Sequence, residues 1–222
     1  MILLVVKLIG VSILALFINQ EQPVFDNGNE SLTQYLASNM IYPTYAKQNC
    51  IQGTIKVSFQ LNTQGVLFNA KIVKGLGIDL DDEALRLIKL TNHKWSIPKN
   101  HKENTEIIIP VVFSLENYDC ENISKREINK AVDLYQTRQA LEDVVTNYYK
   151  KKVSGAVNTK NEQQIIQLKA DLGFDEELVL EKLEEAKKML KQGDKEGACK
   201  TLMFIRNIGF SNADDLIAEN CK

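Results

Sequence analysis

Between residues 54 and 61 the chain alternates without a fault. Ile55, Val57, Phe59 and Leu61 are apolar, and Thr54, Lys56, Ser58 and Gln60 between them are polar. A period of two predicts a strand with one buried face. Residues 66–73 alternate again, with Val66, Phe68, Ala70 and Ile72 on one side. Asn62-Thr63-Gln64-Gly65 joins the two runs, and Gly65 is free to take the positive φ such a loop needs. Together they read as a β-hairpin. A third run, residues 105–115, places Ile107, Ile109, Val111, Phe113 and Leu115 on one side. Pro110 lies inside it and has no N–H for a ladder, which predicts an edge strand.

Helical spacing fills the rest. Ser31-x-x-Gln34 is a capping-box pattern, followed by Leu32, Tyr35, Leu36 and Met40 on one face, with Pro43 expected to end the helix. Asp79, Asp81, Asp82 and Glu83 open a second helix, where negative charge suits the macrodipole, and Leu80, Ala84, Leu85 and Ile88 form its apolar stripe. A loop with Trp95 and Pro98 follows, and Trp95 is expected to pack under the sheet. From residue 121 only helices are predicted. Ile128, Val132, Tyr135, Leu141, Val145 and Tyr148 approximate one face of the first, which Lys150-Lys151-Lys152 and Ser154-Gly155 end. Others cover about 160–171, 175–192, 195–207 and 211–220, the one over 175–192 with Leu178, Leu180, Leu183, Ala186, Met189 and Leu190 apolar. The fold class is α+β, a three-stranded antiparallel sheet with two helices over residues 30–117, followed by an all-helical domain over 121–222.

The first seventeen residues, MILLVVKLIGVSILALF, are apolar except for Lys7 and Ser12. As a signal peptide, residues 8–17 have the length of an h-region, although no small-x-small cleavage pattern follows. As an anchor, residues 1–18 would span about 27 Å, just short of a bilayer core of about 30 Å. Lys7 near mid-span would cost roughly 2.5–3.5 kcal/mol. Segment 1–20 is therefore read as a signal peptide or a membrane anchor. The next charged residue is Glu21 and the next basic one Lys47, which favours export of the remainder.

Composition narrows the function. Of 222 residues, 44% are hydrophobic and 25% charged, an ordinary globular balance. A net charge of -2 supplies no basic face for nucleic acid. Two histidines, His93 and His101, leave little for a metal site or catalytic dyad. The four cysteines show no CxxC pair or zinc spacing and suit an exported protein with disulfides. Ser96-Ile97-Pro98-Lys99 lacks the helix start of a serine nucleophile, Gly75-Leu76-Gly77 lacks a third glycine, and Asp79, Asp81 and Asp82 lack calcium-loop spacing. No catalytic residue, metal or cofactor is expected, and the chain is not read as an enzyme.

Several words recur in the order of a known family. They are Tyr42-Pro43-x-x-Ala46, Gln52-Gly53-Thr54-Ile55-Lys56-Val57-Ser58-Phe59, Gly65-Val66, Val73-Lys74-Gly75-Leu76-Gly77, Leu80-Asp81-Asp82-Glu83-Ala84-Leu85, Lys94-Trp95 and Pro110-Val111-Val112-Phe113-Ser114-Leu115. Over about residues 30–116 the chain resembles the TonB C-terminal domain in its Bacteroidetes-type form. The resemblance implies a periplasmic module that binds an extended receptor segment by β-augmentation. The implied partner-binding residues are Tyr42, Pro43, Ile107, Ile108, Ile109, Pro110, Val111, Val112 and Phe113. The chain departs from the pattern of an energy-coupling transducer in two ways. Only residues 18–30 separate the leader from the first helix, and they reach about 45 Å extended, with no proline-rich arm. The leader also lacks the polar and histidine residues that engage a motor complex.

The end of the chain has its own resemblance. Ala186-x-x-x-Leu190-x-x-Gly193-Asp194-x-x-Gly197-Ala198-Cys199, then Gly209-x-x-x-Ala213-Asp214, is similar to a tetratricopeptide-type or Sel1-like helical pair. If the last two helices fold back near Gly209, Cys199 and Cys221 meet and form a disulfide. Cys50 and Cys120 are left unpaired, because a meander of the three strands would put them at opposite ends of the sheet.

Two readings follow. In the first, the chain is an exported TonB-like interaction module linked to outer-membrane receptors or another envelope protein. In the second, it is a structural envelope protein whose sheet edge is capped internally or by self-association. Both place it in the periplasm, with protein partners, no nucleic acid, and membrane contact only through the N-terminal segment.

Overall fold

The computed structural model describes residues 22–116, 118–120, 122–155 and 161–221; the leader reading falls outside them. The elements in order are β1 (Val24–Phe25), α1 (Leu32–Asn39), α2 (Thr44–Gln48), β2 (Gly53–Leu61), β3 (Leu67–Lys74), α3 (Asp79–Lys89), β4 (Trp95–Ser96) and β5 (Ile107–Phe113). The helices α4 (Lys125–Val153), α5 (Glu162–Asp171), α6 (Glu176–Lys191), α7 (Lys195–Asn207) and α8 (Asp214–Asn220) follow.

The main sheet is antiparallel in the order β3-β2-β5. The alternation of β2 does what its period requires: Ile55, Val57, Phe59 and Leu61 are all buried, and α3 covers them with Leu80, Ala84, Leu87 and Ile88. The turn before β3 is held by Asn62, whose Oδ1 accepts from the N–H groups of Gln64 and Val66, with Gly65 at φ 76°. The side expected for β3 is only half right. Asn69 sits at φ 54° in a register shift, and Phe68 pairs with Gln60 while Leu67 pairs with Leu61. This bulge re-aims one end of the strand, so Leu67, Ala70 and Ile72 join the core and Phe68 turns to the opposite face.

The ends of α1 also differ from expectation. Its capping box forms, but the helix stops at Asn39, with Met40 extended. Pro43 does not end it. It stands as the extended N-cap of α2, a place where the fixed φ and missing N–H of proline cost nothing. The loop around Trp95 contains a strand, β4, that pairs with β1. Trp95 packs against Phe25 and Phe59 and donates from Nε1 to Thr91 Oγ1 at 3.0 Å.

The helical half builds a second core around Val145, Val179, Ala186, Leu202, Ile205 and Ile208. Leu141 and Leu180, counted among the apolar positions in sequence, stand exposed. The long helix α4 serves both cores, with Ala131 in the first and Val145 in the second. Tyr45 of α2 reaches it, donating to the Ala131 carbonyl at 2.7 Å.

Both cysteine pairs are bonded. Cys199–Cys221 joins α7 to the end of α8, as the folded-back pair requires. Cys50–Cys120 corrects the meander assumption. With β2 central and antiparallel to β5, Gly53 lies opposite Phe113, so the residues just before β2 and after β5 share one end of the sheet. Their Cα atoms are 5.7 Å apart.

A polar hub joins the halves. Glu83, a member of the acidic helix start in sequence, is buried and accepts from Ile41 N–H at 2.7 Å. Arg86 holds it from Nε and Nη2 at 2.6 and 2.8 Å, and also donates to Asn39 O, Gln192 Oε1 and Asp194 Oδ2. At the start of α3, burial pushes the Asp79 carboxyl up to about 6, and its Oδ1 has no hydrogen-bond partner. Because that value lies above the unfolded one, folding favours the protonated form. This contribution is full below about pH 4 and is lost as pH rises through about 6. Asp79→Asn should therefore stabilise the fold on the order of 2 kcal/mol at pH 7 and change it little at pH 4. Urea titrations at both pH values check this, and an unchanged gap between them would refute it.

Candidate partner-binding edge

Strand β5 pairs with β2 along its whole length, from Gly53↔Phe113 to Phe59↔Ile107. Among the described residues no other strand pairs with it, so its far edge is open. The internal capping of this edge in the second reading is not seen among those residues.

Alternation divides the strand into two jobs. Val111 and Phe113 are buried, and Ile107 and Ile109 pack half-buried on the same core. Ile108 is 51% exposed, Val112 60%, and Pro110 between them is exposed too, all on the outer face. Beyond the strand, Leu115 N–H turns toward β2, donating to Gln52 Oε1 at 3.2 Å. Carried back by the two-residue period, this parity aims the backbone groups of Ile107, Ile109, Val111 and Phe113 at β2. Those of Ile108, Pro110 and Val112 then aim at the open edge. A proline is tolerated there because its missing N–H breaks no internal bond. The edge offers donors at Ile108 and Val112, and carbonyls at all three.

The other two candidates sit at the closed end of the same strand. Tyr42 stacks edge-on against Phe113, with ring centroids 5.7 Å apart, and donates its hydroxyl to Ile51 O at 2.7 Å. Burial first, and the nearby Asp79 second, push its phenol up to about 12, so it remains a hydrogen-bond donor. Pro43 follows it into α2. The structure thus places Tyr42 as a brace for the base of β5, with Pro43 setting the direction of the chain.

The outer face of the sheet was not singled out in sequence. Lys56 lies opposite Pro110 on one side and Lys74 on the other. The alternation of β2 already assigned Lys56 to this face; its neighbours depend on a register that no local pattern states.

Residues 38–115 match the family described as the Gram-negative bacterial TonB protein C-terminal, and this part of the chain is a domain of that type. A solved structure, the NMR solution structure of the TonB C-terminal domain of Helicobacter pylori, is 30% identical to the chain. The alignment covers 39% of this chain and 92% of that one, with a TM-score of 0.33. No curated protein matches the chain.

Proposed function

We propose that this is an exported, TonB-like protein–protein interaction module that captures an extended segment of an envelope protein by adding it as a strand beside β5. The observation that carries this is the edge itself: β5 is bonded on one side only, and its free side presents backbone donors and acceptors from Ile108, Pro110 and Val112. Such an edge is a template for a further strand. An outer-membrane TonB-dependent receptor is the partner class that the domain type favours. The helical half gives the module a second surface, and two disulfides suit an oxidising periplasm.

Val112→Pro tests the edge with little harm to the fold, because the N–H it removes points away from β2. The variant should keep the circular dichroism spectrum of the parent and lose at least ten-fold of the partner recovered from envelope extract. Equal recovery would rule out strand addition. Association between two copies of the chain through the same edge would appear instead as a dimer that Val112→Pro dissociates.

A further inference from the structure

The row of outer-face side chains Lys74, Lys56 and Pro110 runs across all three strands. Lys56 and Lys74 are Cα partners beside the register shift at Lys56/Val57, and like charges in paired positions destabilise a sheet. Among the described residues neither lysine has an ion pair. The adjacent row differs: Lys71 crosses to Glu106 at 3.3 Å. One row of the face is therefore neutralised within the chain, and the next carries unbalanced positive charge up to the open edge.

Pro110 is the last residue of that row. Its ring is short, whereas Ile108 and Val112 rise on either side of it. The four-carbon stem of Lys56 can lie across the proline, a strand spacing of about 4.8 Å, and bring its charge toward the position beyond. Pro110 also gives the edge only a carbonyl, so backbone bonding is weakest there and a side-chain contact has most to add.

We propose that the strand captured by β5 carries a carboxylate at the residue facing Pro110, between two apolar residues facing Ile108 and Val112. The recognised pattern is apolar–x–acidic–x–apolar, with the intervening side chains turned to the opposite face. The inference rests on strand addition at β5 and specifies its partner. Ile108 and Val112 receive the apolar pair, and the carboxylate relieves the repulsion between Lys56 and Lys74. The charge at Lys56 thereby sets the register, since a shift of one residue turns the acid away.

The test uses the full chain with its disulfides intact and two labelled peptides, Thr-Ile-Thr-Glu-Thr-Ile-Thr and the same peptide with lysine at the centre. Fluorescence anisotropy at low salt should show at least ten-fold tighter binding of the glutamate peptide. The preference should fall as salt is added. Lys56→Glu, at an exposed position, should reverse it, while Lys74→Glu, one strand further away, should change it less. Shifts of the Ile108 and Val112 amide signals in NMR spectra should accompany binding. Equal affinity for both peptides, or a preference that survives Lys56→Glu, would overturn the acidic register while amide shifts left edge binding standing. Absence of amide shifts with either peptide would overturn strand addition and this inference with it.

Discussion

Arg86→Ala should destabilise the protein by about 3–5 kcal/mol, among the largest effects of any single substitution. The magnitude follows from what the side chain leaves behind. Glu83 is 6% exposed, and Arg86 is the only cation within hydrogen-bond distance of it among the described residues. Without the guanidinium, a buried carboxylate retains only the Ile41 N–H. Burial already raises the Glu83 carboxyl, with Arg86 the main opposing influence, so the variant should take up a proton there at higher pH than the parent. The same substitution releases Asn39 O, Gln192 and Asp194, and so loosens the helical half from the sheet. Urea unfolding should show a lower midpoint. Glu83→Leu combined with Arg86→Met should recover most of the loss, because removing both partners leaves no unpaired charge. A double variant as unstable as the sum of its parts would mean that the pair is not the source of the effect.

Removing the Cys50–Cys120 bond, as in Cys50→Ser with Cys120→Ser, should cost about 4 kcal/mol. The bond spans 70 residues, a loop that contains β2, β3, α3, β4 and β5. Closing so long a loop removes much of the freedom of the unfolded chain. The Cys199–Cys221 bond spans 22 residues and should be worth about 3 kcal/mol. In calorimetry the first pair of substitutions should lower the melting temperature by about 10 °C, and the second by less. Equal or reversed losses would mean that native-state packing, rather than loop length, decides the contribution of each bond.

These two features were also the least legible in sequence. The alternation in β2 and β5 and the capping box at Ser31 are local signals, and the structure follows them. Glu83 reads locally as one more acid at a helix start. Its burial depends on Arg86 one turn later and on the Asn39 carbonyl at the end of α1 and the Gln192 and Asp194 side chains between α6 and α7 that Arg86 reaches. Likewise, Cys50 and Cys120 fall at opposite ends of a meander and meet only in the strand order β3-β2-β5. Phe68 shows the same limit within one strand, since a single left-handed residue, Asn69, reversed the side its pattern assigned.

The candidate edge divides in the same way. The proline and the two-residue period sufficed to mark β5 as an edge strand, and to separate Val111 and Phe113 from Ile108 and Val112. Tertiary structure alone decided that no other described strand pairs with that edge, that Tyr42 braces its base, and that Lys56 and Lys74 share a row with Pro110. Periodicity and capping are written in neighbouring residues, because they arise from the geometry of a single element. Strand order, register and the partners of a buried charge arise from contacts between residues far apart in the chain, and only the packed fold selects among them.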